Sequence, residues 1–338
     1  MRNVRQGRPA RVTISDVGEA AGVSASTVSR VLNGTAKVDP ALAARVHDAV
    51  RELGYRPNAA AQGLARGEKG TIGVLVPNLA NPYFPDVLKA VSAVARTHGR
   101  RVMVMESNDD PSIEHDLVED LMRSCDGVLL CSSRMDRSDL AVLSARDHPL
   151  VLLDRIVPGI AAPAVSADFF GGMMLICGHL AQLGHTRVAY LSGPEVSWAN
   201  AERIRALEAA KAFGLSVTIL PCGSSSRHGY EAAAGVAGTG ATALTTYNDL
   251  VALGAVTRMR ELGVRVPEEL SVVGFDDIEL DHVAHTSLTT VSVPRGQLGK
   301  QAAEMLESLM TEGHDGEPVY LSMELHVRES TAPPVQNG

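Results

Sequence analysis

From Thr71 onward the sequence alternates short apolar runs with longer amphipathic stretches, and this alternation constrains the fold more than any other feature. The short runs have the length of buried strands, and the stretches between them have helical spacing. Parallel strands need long crossover connections, so this pattern predicts an α/β fold with doubly wound parallel sheets. The chain of 338 residues is long enough for two such lobes and a small extra module.

The strand predictions place several polar segments at one edge of each sheet. Strands are predicted at residues 71–77, 101–106, 127–131, 150–154, 188–191, 217–220, 243–246 and 271–275. Helices predicted between them include residues 82–97, 169–183, 199–213, 250–262 and 295–310. Ligands bind beyond the carboxyl ends of such strands, and these ends are polar at residues 78–84, 154–155, 192–193, 247–249 and 276–277. Singly, each polar residue is more often a strand-end cap, but their convergence favours a binding cleft.

The first 70 residues are basic, although the whole chain has a formal net charge of −8. They hold 11 Lys and Arg against six Asp and Glu, whereas the rest of the chain holds 20 against 33. A basic head on an acidic body is typical of a nucleic-acid-binding module carried by another domain. An unstructured basic tail is the alternative that charge alone leaves open.

Three short helices are predicted within the basic segment. Thr13 caps the first, with Asp16 at the third helical position, and Gly22 ends it. Ser24 caps the second, and residues 39–40, Asp-Pro, open a third that closes at Gly54. The side chains expected to face inward are Ile14, Val17, Ala21, Val28, Val31, Leu32, Leu42, Val46, Val50 and Leu53. The first two helices and their short connection predict a helix-turn-helix.

The outward face of the second predicted helix is small and polar, with Arg30 as its one long donor. Its small side chains, Ala25, Ser26 and Ser29, permit close approach to a major groove. The helix N-terminus favours a phosphate, and an arginine can pair with both O6 and N7 of guanine. A surface arginine on an ordinary helical hairpin is the alternative.

Several other classes of protein are disfavoured. No run approaches the ~18 apolar residues of a membrane span and the start lacks a signal-peptide core, so a cytoplasmic protein with no membrane partner is expected. Enzyme activity and a cofactor are not expected, because no nucleophile elbow, P-loop or dinucleotide fingerprint follows a strand. Residues 281–285, Asp-His-Val-Ala-His, are interpreted as a solvated loop in preference to a metal site. Reduced structural thiols are expected at Cys125, Cys131, Cys177 and Cys222.

Residues 13–34, Thr-Ile-Ser-Asp-Val-Gly-Glu-Ala-Ala-Gly-Val-Ser-Ala-Ser-Thr-Val-Ser-Arg-Val-Leu-Asn-Gly, and 53–58, Leu-Gly-Tyr-Arg-Pro-Asn, strongly resemble the lactose/galactose repressor (LacI-GalR) family of bacterial transcriptional regulators. The resemblance covers nearly the whole chain. It implies a DNA-binding head at residues 11–57, a hinge helix and linker at 58–70, and a two-lobed, periplasmic-binding-protein-like core at 71–330 that binds an effector and dimerises. Gly18 departs from the family's usual alanine and is expected to weaken the first helix by ~1 kcal/mol.

The resemblance also implies which residues contact double-stranded operator DNA. They are Thr13, Ser24, Ala25, Ser26, Thr27, Ser29, Arg30, Asn33, Tyr55, Asn58 and Leu64. Leu64 stands where the family's leucine wedges into the minor groove, although without the family it would be a linker residue that touches the core. A hinge helix of about two turns is marginal alone in water, so it is expected to order against its partners.

By the same resemblance, six residues line an effector cleft: Tyr83, Phe84, Asp154, Arg203, Asn248 and Asp276. Arg203 begins Arg-Ile-Arg-Ala-Leu, in which Ala206 and Leu207 replace the last two residues of the family's R-x-x-G-F. This polar ring suits a polyhydroxy ligand. Many relatives place an aromatic stacking residue near position 224, where this chain has serine; Trp198 is either a substitute or a rim residue.

We therefore expect a dimeric transcriptional regulator, most simply a repressor, that reads a near-palindromic operator. A small metabolite, a sugar or a related polar ligand, is expected to close the lobes and change DNA affinity through a reciprocal coupling free energy. The alternative is a solute-binding protein of a transport system, which would share residues 71–330 but need a signal peptide and no helix-turn-helix. A sugar-modifying enzyme is a third class. The residues after 333 contain no leucine heptads, which favours a dimer over a coiled-coil tetramer.

Overall fold

The computed structural model describes residues 12–33, 38–55, 69–279, 287–311 and 317–335. These residues form two compact units that divide between Lys69 and Gly70. The smaller unit is helical, and the larger contains two six-stranded sheets. The two predicted hinge contacts, Asn58 and Leu64, lie outside the described residues, and the predicted domain boundaries stay predictions.

The helical unit contains α1 (Ile14–Ala21), α2 (Ala25–Asn33) and α3 (Pro40–Glu52). A capping box opens α1, because the Thr13 hydroxyl accepts the Asp16 N–H at 3.3 Å and the Asp16 carboxylate accepts the Thr13 N–H at 2.7 Å. Gly22 ends α1 in the left-handed conformation at φ 66°. The Asp39 carboxylate caps α3 by accepting two backbone N–H groups. The predicted caps are thus confirmed.

Five side chains form the buried core of this unit: Val17, Ala21, Val28, Val46 and Ala49. Ile14, Val31, Leu32 and Val50 pack against them while partly buried. The prediction that Leu53 faces inward is wrong, because its exposed fraction is 38%. Leu53 lies beyond the last turn of α3 as the C-cap residue, and Ala49, one turn earlier, takes the inward place.

The first lobe of the larger unit is a fully parallel sheet in the order β11-β5-β4-β3-β1-β2. Its strands are β1 (Thr71–Val76), β2 (Arg101–Glu106), β3 (Gly127–Cys131), β4 (Leu150–Leu153), β5 (Ala164–Ala167) and β11 (Val319–Leu321). Its helices are α4 (Tyr83–Thr97), α5 (Pro111–Ser124), α6 (Arg137–Ser144) and α11 (Arg295–Thr311). Every residue of β1 is buried, as expected for a strand in the middle of a sheet covered on both faces.

The second lobe has the order β12-β10-β9-β8-β6-β7, parallel except for β12. Its strands are β6 (Arg187–Ser192), β7 (Ser216–Pro221), β8 (Ala243–Thr246), β9 (Ser271–Asp276), β10 (Thr289–Ser292) and β12 (Glu324–His326). Its helices are α7 (Phe169–Gln182), α8 (Trp198–Ala210), α9 (Ser226–Ala232) and α10 (Asp249–Glu261). The described chain passes between the sheets after β5, after β10 and between β11 and β12.

The predicted α/β class with two doubly wound lobes is confirmed, and each predicted strand and helix is present within three residues of its predicted ends. The prediction did not name β5, β10, β11 and β12, nor α5, α6 and α9. The four unnamed strands have only three or four residues. Length alone does not explain the misses, because β4 and β8 also have four residues and were predicted. The missed strands are short and mostly mix polar with apolar residues, so they form no distinct apolar run.

Candidate functional site

The N-terminus of α2 carries a cluster of hydroxyl groups. The Thr27 N–H donates to the Ser24 hydroxyl at 3.2 Å, so Ser24 is the predicted cap. The same hydroxyl oxygen lies 2.8 Å from that of Ser26 and 2.9 Å from that of Thr27. This helix end can donate to an anionic group such as a phosphate.

The predicted DNA contacts differ in exposure. Thr13, Ser24, Ser26 and Arg30 are exposed, whereas Ala25, Thr27, Ser29 and Tyr55 are partly buried. Tyr55 packs against the core of the helical unit and therefore also has a structural role. Asn33 ends α2. The exposed side of α2 thus combines short polar groups with one arginine, as the sequence predicted.

A second candidate site lies between the two lobes, where strands of both sheets end. It is a small cavity of about 30 Å³, large enough for ordered water. The lining residues are Asn81, Tyr83, Phe84, Ser132, Phe169, Ala199, Arg203, Tyr247, Asn248 and Asp276. Five of the six predicted effector contacts are among them. The sixth, Asp154, lies behind Tyr83, whose hydroxyl donates to the Asp154 carboxylate.

Asp154 is a buried acid that follows β4. Its other carboxylate oxygen accepts the Ala167 N–H at 3.1 Å. Burial raises the pKa of Asp154 to about 6, although the hydrogen bonds from Tyr83 and Ala167 oppose the shift. Burial likewise raises the pKa of Tyr83 well above its ordinary value. The Tyr83–Asp154 pair therefore holds a polar wall on the side of the first lobe.

Arg203, on α8, is a buried cation with an incomplete set of partners. Only 2% of the residue is exposed. Its guanidinium carbon lies 3.8 Å from the ring centre of Phe275, 4.6 Å from that of Phe169 and 4.9 Å from that of Tyr247. Nη2 is 3.9 Å from a carboxylate oxygen of Asp276, and Nε and Nη1 have no hydrogen-bond partner among the described residues. Unsatisfied buried donors are costly, so this arrangement favours a ligand that supplies oxygen acceptors.

Asp276 ends β9 in a strained backbone conformation, with φ 116°. Burial raises the pKa of its carboxyl group, while the charge of Arg203 opposes that shift. Its carbonyl accepts a hydrogen bond from Arg295, which also donates to the carbonyl of Asp277 at 3.0 Å. Arg295, at the start of α11, thus fixes the turn that presents Asp276, a role that the sequence did not reveal.

Asn248 both lines the cavity and caps a helix. Its side-chain oxygen accepts the Val251 N–H at 2.9 Å at the start of α10, and its amide nitrogen donates to the carbonyl of Ser224 at 2.9 Å. Asn248 is therefore both a cap at the end of a strand and a residue that lines the cavity. Glycines hold α10 close to α9: a methyl group at Gly254 would come within 1.9 Å of the carbonyl oxygen of Ser226.

Aromatic side chains reach the cavity from places other than position 224. Phe169 and Tyr247 line it, and neither is among the six predicted effector contacts, although Tyr247 lies in the strand end 247–249 that was predicted to reach the cleft. Trp198 packs edge-on against Phe169 with ring centres 6.0 Å apart, and it is not among the lining residues. Phe169 opens α7 after β5, a strand that the sequence did not reveal, so no signal marked its position at a sheet edge.

Neither a metal-binding cluster nor a membrane-spanning helix is found among the described residues. Among them no group of three or more His, Cys, Asp and Glu side chains is placed to hold a metal ion. The His-containing segment 281–285 lies entirely outside the described part of the chain. The four cysteines are free thiols. Within the same described ranges, no helix is both long enough and apolar enough to span a bilayer.

Comparisons with known proteins agree over most of the chain. Residues 13–58 match the bacterial regulatory proteins of the lacI family, and residues 177–331 match a periplasmic binding protein-like domain. The HTH-type transcriptional regulator GalS of Salmonella typhimurium is 36% identical over 302 residues, 87% of this chain and 88% of GalS. The regulator GalR of Escherichia coli is 34% identical over 304 residues, 88% and 89% of the two chains. A crystal structure of the Lac repressor dimer bound to operator and the anti-inducer ONPF has a TM-score of 0.87 and 28% identity, covering 95% of this chain and 99% of that one.

Proposed function

This chain belongs to the lacI family of bacterial regulatory proteins and is a helix-turn-helix transcriptional regulator, and we propose that it is a homodimeric repressor controlled by a polar effector bound at Arg203. The observation that carries the effector proposal is the buried guanidinium with two unpartnered N–H groups at the cavity wall. Oxygen atoms of a ligand would accept those N–H groups. The relatives are named as regulators, so the cleft is assigned binding without catalysis.

The composition of the cleft favours a sugar or sugar derivative. Arg203 donates, the carboxylate of Asp276 accepts, and Asn248 can do both. A ligand that matches them must carry several groups able to donate and accept, as hydroxyl groups do. The rings of Phe169 and Tyr247 supply apolar surface for the carbon skeleton. A compound with a polyhydroxylated ring combines both features.

The size of the cavity links binding to movement of the lobes. At about 30 Å³ it is too small for a sugar ring, so an effector enters only when the lobes separate. A ligand that prefers one lobe arrangement shifts the population toward it. For effector binding to change DNA affinity, the two lobe arrangements must present the heads differently. The coupling free energy is reciprocal, so binding of operator DNA changes the affinity for the effector by the same factor.

On the DNA side, we assign the exposed face of α2 to the major groove. Arg30 would pair with guanine, and Ser24, Ser26 and Ser29 would allow the helix to lie close to the bases. Two heads in a homodimer would read the two halves of a near-palindromic operator. The predicted hinge contacts Asn58 and Leu64 stay part of this proposal, as does action in the cytoplasm, where bacterial DNA lies.

Operator titration tests the proposal. Fluorescence anisotropy on DNA from upstream of the protein's own gene is measured with and without a panel of monosaccharides, disaccharides and nucleosides. We expect nanomolar-range binding that one class of compound shifts at least tenfold. Arg203→Ala should bind the same DNA and lose the shift. A shift that survives in Arg203→Ala would place the effector elsewhere, and binding no tighter than to random DNA would contradict the proposal that the protein represses from this DNA.

A further inference from the structure

The two lobes are joined by a polar cluster beside the cavity, formed by Asp109, Arg134, Ser224 and Tyr247. In the first lobe, Nε and Nη2 of Arg134 donate to one carboxylate oxygen of Asp109 at 3.2 and 2.9 Å. From the second lobe, the hydroxyl of Ser224 donates to the other carboxylate oxygen at 3.4 Å. The hydroxyl of Tyr247, also in the second lobe, lies within electrostatic reach of the Arg134 guanidinium. The cluster therefore spans the cleft.

The first-lobe half of this cluster is held in place before the second lobe reaches it. Glu114, on α5, is only 1% exposed, and its carboxylate accepts the backbone N–H of Arg134 at 2.9 Å and that of Met135 at 3.2 Å. It also accepts the Ser133 hydroxyl at 2.7 Å. Asp109 is fixed in a left-handed turn at φ 60°, with its N–H donated to the carbonyl of Pro77 at 2.9 Å. Arg134 is thus presented at a defined position, with only 4% of its side chain exposed.

The second-lobe half connects directly to the cavity. Tyr247 lines the cavity, and its ring covers Gly193 so closely that a methyl group there would come within 2.2 Å of the ring. The carbonyl of Ser224 accepts the amide of Asn248, another lining residue. Serine at 224 is short enough to let Asp109 approach, which a large aromatic side chain at this position would prevent. Ser224 is therefore the second-lobe residue that meets Asp109 of the opposite lobe.

We propose that Asp109 and Arg134 form an interlobe clasp with Ser224 and Tyr247 that holds the cleft closed when no effector is bound. Arg134 and Asp109 do not line the cavity, so they act as positioning residues that set how readily the lobes open. The clasp itself is a property of the core. Its consequence for DNA affinity rests on the function proposed above.

Trp198 provides a native probe of this closure. It is the only tryptophan of the chain, and it packs against the apolar clusters of both lobes. Separation of the lobes should expose it to a soluble quencher. We therefore measure acrylamide quenching of the full-length, effector-free protein. Arg134→Ala and Asp109→Ala should each raise the Stern–Volmer constant at least twofold, and Ser224→Ala should raise it by less.

The control is Arg146→Ala, which removes an arginine paired with Glu119 on the first lobe, away from the clasp. Its quenching should equal that of the wild type. Arg134→Lys keeps the charge but loses the two-pronged contact, and it should give an intermediate constant. Hydrogen exchange of the β1 amides would detect a general loosening of the first lobe. The clasp variants should leave the rate of this exchange unchanged. Equal quenching in wild type and all clasp variants, or faster β1 exchange in step with it, would overturn the clasp.

Operator titration of the same variants separates the clasp from the proposed function. If both hold, Arg134→Ala and Asp109→Ala change affinity for the upstream DNA at least threefold, in the same direction. Raised quenching with unchanged operator affinity supports the clasp and contradicts control of DNA binding by lobe closure. Changed operator affinity with unchanged quenching overturns the clasp and leaves the proposed function standing.

Discussion

The DNA-reading head and the effector cleft carry their polar groups in opposite ways. On α2 the groups expected to meet DNA, Ser26 and Arg30, are exposed to water. In the cleft, Arg203, Asn248 and Asp276 are at most 5% exposed. Exposed polar groups stay hydrated at no cost to the fold, whereas buried ones destabilise it unless they find partners. The polar groups of the head are therefore stable without DNA, whereas closure of the cleft leaves two buried N–H groups of Arg203 without a partner.

The two regions differ as well in how the chain assembles them. The expected DNA contacts on α2 lie on one helix of nine residues, so local spacing brings them together. The cleft gathers residues from 81 to 276, which only the sheet topology makes neighbours. Substitutions on the exposed face of α2 should consequently change recognition alone, and substitutions in the cleft should change stability and recognition together.

Arg203→Ala is the strongest test of this contrast. It leaves the buried carboxyl group of Asp276 without its nearest cation and opens a space beside three aromatic rings. Loss of one partner of a buried charged pair typically costs ~3–5 kcal/mol, and we expect the core to lose ~3 kcal/mol. Urea unfolding followed by Trp198 fluorescence measures this in the larger unit. Arg203→Met, which refills the space, should lose less, and a loss under ~1 kcal/mol for alanine would break the contrast.

Arg30→Ala is the complementary change in the head. The exposed arginine can be removed without a buried group losing a partner, so the stability of the head, measured by hydrogen exchange of the Val28 amide, should not change by more than ~0.5 kcal/mol. Operator affinity should fall by ~1–3 kcal/mol per half-site, while binding to random DNA is mostly retained. Anisotropy titrations on both DNAs at one salt concentration measure the difference. An equal loss on both would mean that Arg30 contacts phosphate and not a base.

How far the sequence predicts each region follows from the same difference. The caps Thr13, Ser24 and Asp39 depend on atoms a few residues away, and all three were predicted correctly. The prediction that Leu53 faces inward was wrong because a periodic pattern does not show where the last turn of a helix ends. In the cleft, the polar strand ends predicted the segments that converge, including 247–249, and the family resemblance then selected six contacts among them. Phe169 belongs to neither set. The clasp could not be predicted from the sequence, because Ser224 and Asp109 are 115 positions apart and neither belongs to a recognisable motif.

The pH dependence of the stability of Asp154→Asn, compared with that of the wild type, should reveal the free-energy cost of burying this carboxylate in the cleft. Since burial raises the pKa of Asp154 to about 6, the folded protein binds a proton more tightly than the unfolded chain. This group's contribution to stability is therefore complete below its ordinary pKa near 4 and is lost as pH rises through about 6. Asparagine does not titrate.

Between pH 5 and pH 7.5, the stability of Asp154→Asn should rise relative to wild type by ~1–2 kcal/mol. Urea unfolding of both proteins at the two pH values measures this change. A matched change in the head, Thr13→Ala, should shift stability equally at both pH values. If the Asp154 difference is also independent of pH, the carboxyl group is not held in the environment that the cleft provides.

The smallest expected effect concerns Gly18, where a close backbone contact in the head opposes the local helix propensity. Helix propensity alone predicts that Gly18→Ala stabilises α1 by ~1 kcal/mol. In the structure a methyl group at this position would lie 2.8 Å from the carbonyl oxygen of Val23, a backbone atom of the turn that leads into α2. The same turn is fixed by a 2.8 Å hydrogen bond from the Val23 N–H to the Gly18 carbonyl, so it cannot move without straining that bond.

We therefore expect Gly18→Ala to give no gain and to destabilise the head by up to ~1 kcal/mol, because the steric cost offsets the propensity gain. Hydrogen exchange of the Val28 amide in the full-length protein measures the stability of α2 locally. Ser15→Ala is the matched control, since Ser15 is exposed on α1 and its replacement should slow exchange through propensity alone. Slower exchange in both variants would show that the turn adapts freely. Faster exchange in Gly18→Ala alone would show that even in the locally encoded head, one close backbone contact outweighs helix propensity.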